Sequence, residues 1–167
     1  MAYDELDLEQ NIWTIPADRM KNNQEHKLPL TGTTKGVIDQ ARGLFGDGKS
    51  PFVFPSPRQG SLKPHSLSKA ILRNRQDMGI ETPFTPHDIR RTVRTRFAEL
   101  KVKEFIGERV LGHKLEGMLA VYNQHDYLPE KRQALEAWEK RLRSIVGIAE
   151  PERNGNVISI TEARSYG

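Results

Sequence analysis

Residues 85–100 constrain this chain more than any other stretch. Thr85 offers a side-chain oxygen able to cap a helix start, and Pro86 suits a first helical turn, where its missing N–H has no intrahelical partner to lose. Ile89, Val93, Phe97 and Leu100 then recur at i, i+4, i+8 and i+11, a stripe of a 3.6-residue helix facing a core. Its other faces are basic: between Pro86 and Lys103 the chain carries Arg90, Arg91, Arg94, Arg96, Lys101 and Lys103 against Asp88 and Glu99. Such a band is a solvated helix face in most helices, yet it can also hold phosphates.

Helical periodicity dominates the remainder. Residues 33–45 place Val37, Ala41 and Leu44 inward and stop at Gly46. Residues 66–78 place Leu67, Ile71 and Met78 inward and end at Gly79. After residue 103 a short helix with Val102, Phe105, Ile106 and Val110 inward breaks at Gly112, and residues 115–122 form a third short helix. Pro129 opens a long helix to about Val146, with Leu135, Trp138, Leu142 and Ile145 inward. Residues 46–63 are loop around the apolar run Phe52-Val53-Phe54.

The first 30 residues differ. Asn11-Ile12-Trp13-Thr14-Ile15 alternates like a strand that Pro16 ends, and His26-Lys27-Leu28-Pro29-Leu30 is its partner, giving a hairpin with an exposed tip at Lys21-Asn22-Asn23. The expected fold is therefore α+β: mainly α, with a small antiparallel β-sheet near the N-terminus. Residues 1–149 form one domain and 150–167 a tail, in which Val157-Ile158-Ser159-Ile160 either adds a strand to a neighbour's sheet or stays loose.

With 167 residues the chain can bury one core. It has no cysteine, which excludes disulfides, thiolate nucleophiles and Cys-based zinc sites and fits a cytoplasmic protein. There is no apolar run of membrane-spanning length, and the opening Met1-Ala2-Tyr3-Asp4-Glu5 is no signal or transit peptide. A formal net charge of +4 is too small to argue for nucleic acid by itself.

Four residues carry chemistry beyond this frame. His87 and Arg90 lie three apart on the helix of residues 85–100, beside its stripe, so both can face one way. His113 follows Leu111-Gly112, where glycine permits a sharp turn, and Tyr122 follows nine residues later. A phenol, with an unperturbed pKa of about 10, attacks poorly unless its proton is removed or its anion stabilised. Taken singly these are a capping histidine, a surface arginine, a helix end and a core tyrosine.

Together, in the order His-x-x-Arg, Leu-Gly-His and Tyr, they resemble the catalytic part of the tyrosine recombinases, the phage and prophage integrases in particular. Trp13-Thr14-Ile15-Pro16, Arg19-Met20-Lys21, Leu28-Pro29-Leu30, Phe52-Val53-Phe54-Pro55-Ser56 and the stretch from Tyr122-Asn123 through Asp126-Tyr127-Leu128 to Trp138 are similar to that family too, so the resemblance covers roughly residues 8–146.

The resemblance implies site-specific recombination and integration of double-stranded DNA through a 3′-phosphotyrosyl intermediate, without metal or other cofactor. It implies Tyr122 as nucleophile, Arg90 as phosphate clamp, His87 as general base, His113 as hydrogen-bond donor to the phosphate, and Lys21 as the acid for the leaving 5′-oxygen, with Lys27 a nearby competitor. Arg91, Arg94 and Lys114 join Arg90 as phosphate-binding residues, and the full-length parent would assemble as a tetramer on DNA. The family's other arginine precedes the segment at which this chain begins, and Arg19 cannot replace it. The expectation is a truncated piece with weak DNA binding and little recombination. One rival is a non-catalytic DNA-binding module or a decayed prophage remnant. Another, a metal hydrolase using His87, His113 and His125, lacks a His-Glu-x-x-His pattern.

Overall fold

The computed structural model describes residues 1–46, 50–56, 60–113 and 125–148. Within them run three strands, β1 (Leu6–Asp7), β2 (Ile12–Ile15) and β3 (His26–Pro29), and five α-helices: α1 (Gly32–Phe45), α2 (Pro64–Asn74), α3 (Pro86–Glu99), α4 (Glu104–Val110) and α5 (Leu128–Val146). This is the α+β class expected. The helices carry most of the regular secondary structure, and one antiparallel sheet of order β1-β2-β3 lies near the N-terminus. None of the described helices is long and apolar enough to cross a membrane.

β2 and β3 pair as the hairpin foreseen, with Trp13 opposite Leu28 and Ile15 opposite His26. The two-residue β1 was not foreseen individually. It pairs with β2 because Asp7 Oδ1 accepts the backbone N–H groups of Glu9 (3.0 Å) and Gln10 (2.8 Å), turning the chain back at once. Between β2 and β3 a single 3₁₀ turn, Ala17–Arg19, precedes the exposed Lys21.

Two apolar clusters hold these elements. In the first, Leu30, Ile38, Ala41 and Val53 are buried and Met1, Tyr3, Leu6 and Trp13 pack on them. In the second, Phe97, Ile106, Val110 and Ala134 are buried beneath Leu28, Val93, Val102, Tyr127, Leu135 and Trp138. α5 touches both regions. Lys131 Nζ donates to the Lys27 carbonyl on β3 (2.9 Å), Arg132 Nη2 donates to the Gln10 carbonyl (3.1 Å), and the Glu139 carboxylate accepts the Thr33 N–H at the start of α1. A carboxylate there satisfies one of the N–H groups a helix start leaves unpaired.

α3 begins as its sequence indicates. Thr85 accepts the Asp88 N–H, Asp88 Oδ2 accepts the Thr85 N–H (3.0 Å), and Pro86 fills the first turn. Several inward assignments need correction. In α1, Ile38 and Ala41 are buried, whereas Val37 and Leu44 face solvent. α2 ends at Asn74, so Met78 lies beyond it and is exposed, as is Leu67, leaving Ile71 as the buried residue. Ile89, Phe105 and Ile145 are exposed as well, and none of the three is among the buried residues of the second cluster. The short helix expected at 115–122 and the tail 150–167 lie outside the described residues.

Candidate active site

The end of α4 organises the site. Gly112 has φ +66°, the Gly112 N–H donates to the Arg109 carbonyl (3.1 Å), and the His113 N–H donates to the Glu108 carbonyl (3.0 Å). This is a Schellman motif, which closes a helix by satisfying its last carbonyls and brings the residue after the glycine back over the final turn. Only glycine suits the position. The backbone is left-handed, and a Cβ would meet Met20 Cε at 3.2 Å and His26 Nε2 at 3.5 Å.

Arg90 reaches this turn from the first half of α3, its Nη2 donating to the Leu111 carbonyl. The structure thus brings Arg90 and the Leu111-Gly112-His113 segment together across 21 residues of chain. His87 is exposed in the first turn of the same helix. Lys21 is exposed on the hairpin connection, and its neighbour Met20 lies against Gly112, so the hairpin abuts the same turn. Lys27 is engaged elsewhere, 3.3 Å from Glu25 and 3.9 Å from Asp126. Tyr122 and Lys114 lie outside the described residues.

The basic band divides. Arg91 is largely exposed, 3.9 Å from the Asp88 carboxylate. Arg94, expected to bind phosphate with it, has its guanidinium on two carboxylates: Nε on Glu108 and Nη2 on Glu104 at 3.1 Å. Arg19 is paired with Glu5, which also accepts the Trp13 indole N–H (3.0 Å) and the Ala2 N–H (3.0 Å).

Sequence reasoning passed over four contributors. Glu108 binds His113 Nδ1 with one carboxylate oxygen and Arg94 with the other. Burial alone would raise this carboxyl, but the hydrogen bonds from His113 and Arg94 outweigh it and hold it below the ordinary glutamate range. A signal existed. In Glu108-Arg109-Val110-Leu111-Gly112-His113, the glutamate and histidine occupy the two positions a Schellman turn makes neighbours.

His26, at the start of β3, is tied to the backbone of Val110, and its Nε2 is buried without a partner. Burial, then the nearby Lys131 and Arg90 charges, push its pKa below the ordinary histidine range. Lys131 is itself buried, which pushes its ammonium below the ordinary lysine range.

Tyr127 anchors the chain as it enters α5. Its backbone is left-handed (φ 52°), its ring meets Phe105 and His125 edge-on at 5.4 and 4.6 Å, and the Arg109 guanidinium lies over it at 4.6 Å. His125 Nδ1 accepts the Tyr127 N–H (3.0 Å), a structural engagement remote from the metal role considered for it. Among the described residues no group of three His, Cys, Asp or Glu side chains could hold a metal ion.

Comparison with known proteins identifies the family. The family model described as "Phage integrase family" matches residues 1–128. Prophage integrase IntA of Escherichia coli (strain K12) is 28% identical over 140 residues, which cover 81% of this chain and 32% of that protein. Prophage integrase IntZ of the same organism is 31% identical over 143 residues, covering 84% of this chain and 34% of that protein. The chain spans about a third of the length of these relatives.

Proposed function

The chain belongs to the phage integrase family, and from that membership we propose that it carries the strand-cleaving centre of a tyrosine recombinase. The Tyr122 hydroxyl attacks a DNA phosphorus, forming a 3′-phosphotyrosyl bond as the bond to the 5′-oxygen breaks. His87 takes the phenolic proton, and Lys21 returns one to the leaving oxygen. Arg90 clamps the non-bridging oxygens through its planar fork, and His113 donates to the same phosphate. Fixed cationic and N–H donors counter the charge that develops on the phosphoryl group. The observation that carries this reading is the seating of Arg90 on the Leu111 carbonyl, which joins two parts of the site that lie apart in the chain.

In this reading double-stranded DNA is the partner, Arg91 and Lys114 add phosphate contacts, the recombinase works as a tetramer on DNA, and the setting is the cytoplasm.

A duplex nicked beside the cleavage site tests the chemistry, because the departing fragment diffuses away and the adduct accumulates. A slow covalent adduct is expected, absent in Tyr122→Phe. No adduct, or one that survives Tyr122→Phe, would leave the non-catalytic DNA-binding module as the better account.

A further inference from the structure

We propose that Glu108 is the positioning residue for His113: it holds Nδ1 so that Nε2 faces a DNA phosphate, and Arg94 braces the carboxylate that does so. The inference rests on the cleavage reading for the identity of the ligand, while the geometry stands independently.

His113 is tied to Glu108 twice, by its backbone N–H to the Glu108 carbonyl at 3.0 Å and by Nδ1 to Oε2. The carboxylate cannot swing away cheaply, because Oε1 is held by Arg94 Nε and the other side of that guanidinium by Glu104 at 3.1 Å. Three elements of chain therefore fix one imidazole: α3 through Arg94, α4 through Glu104 and Glu108, and the Gly112 turn. In most Schellman turns the two facing positions make an apolar contact. Here they hold a braced hydrogen bond, with the glutamate side chain 19% exposed. An imidazole whose Nδ1–H is donated to a carboxylate has Nε2 left for a ligand, and in the doubly protonated ring that nitrogen donates. Arg94 thereby belongs to the orientation of the site rather than to direct phosphate contact.

Long-range ¹H–¹⁵N spectra of the labelled chain test this, with His113→Gln assigning the resonance. Neutral His113 should carry its proton on Nδ1. Glu108→Met, which keeps the length and helix propensity but accepts no hydrogen bond, should return it to the Nε2–H form that a free imidazole favours. Glu108→Ala reads the same spectra if methionine disturbs the fold. An Nε2–H ring in the unaltered chain, or no change in the variants, overturns the proposal.

On the nicked duplex, Glu108→Met should slow adduct formation about tenfold or more at unchanged duplex affinity, as misplacement of a reacting group does. It should cost nothing further in a His113→Gln background, since both changes remove one interaction. Full additivity of the two changes would refute action through His113. Absence of any Tyr122-dependent adduct from the unaltered chain would instead sink the cleavage reading, and the spectra would still decide the role of Glu108.

Discussion

The two apolar clusters of this molecule are built by different rules. The second is made by α3, α4 and α5, three amphipathic helices that supply Phe97, Ile106, Val110 and Ala134. The first gathers single residues from scattered places: Leu30 after β3, Ile38 and Ala41 of α1, and Val53 from the loop that follows. Where helices pack on helices, each stripe meets another stripe, and much of the face that periodicity indicates is the face that is covered. Where one helix lies over a small sheet and a loop, its neighbours choose the face. The site grows from the first kind of packing, at the rim where α3 and α4 meet the hairpin.

The largest test of that contrast is truncation on each side. Phe97→Ala should cost about 3–5 kcal/mol in urea unfolding, from lost burial and the cavity left behind. Leu44→Ala, at a site 76% exposed, should stay within about 0.5 kcal/mol. Equal losses would show that the faces of α1 are assigned wrongly.

A narrower pair concerns glycines with the same backbone. Gly112 and Gly147 have φ +66° and +69°, but only at Gly112 would an added Cβ meet neighbours. Alanine at either should cost about 1–2 kcal/mol for the left-handed backbone. Gly112→Ala should lie above Gly147→Ala in thermal unfolding, because Met20 must also move. Gly112→Ala alone should slow adduct formation. A pair of identical midpoints would mean that the hairpin does not press on the turn.

The smallest expected effect is in acid. Glu5 in the first region and Glu108 in the second are both held below the ordinary glutamate range. At Glu5 burial opposes the shift, and the Trp13, Ala2 and Arg19 hydrogen bonds overcome it. A carboxyl whose folded value is lowered binds fewer protons when folded than when unfolded. Its stabilisation is complete above the unfolded value of about 4.3 and is lost as pH falls through the folded one. Glu5→Gln and Glu108→Gln should each flatten the acid limb of thermal midpoint against pH. Glu5→Gln should do so more, since that carboxylate accepts from three groups and Glu108 from two side chains. The reverse order would place the tighter network at the site.

Much of this was legible along the chain because its causes are local. The cap at Thr85, the proline beside it, the stop at Gly112 and the hairpin around Lys21 each depend on residues within a few positions. The stripe of α1 was not legible for a geometric reason. Val37 and Ile38 are adjacent and both apolar, so the sequence offers two faces about 100° apart and nothing local selects one. Lys131 illustrates a second limit: composition places a lysine outside, and only the Lys27 carbonyl waiting on β3 makes its burial tolerable.

For the site, the sequence alone determined which chemical groups are present, their order, and the family to which they belong. Residue type and spacing are properties of the chain. The tertiary structure decided how those groups are employed. Arg90 and Arg94 stand one helical turn apart with the same side chain, yet one is seated on the Gly112 turn and the other braces a glutamate. The partners that separate them, Leu111 and Glu108, lie 21 and 14 residues away in the chain, and packing of α3 on α4 sets which guanidinium each can reach.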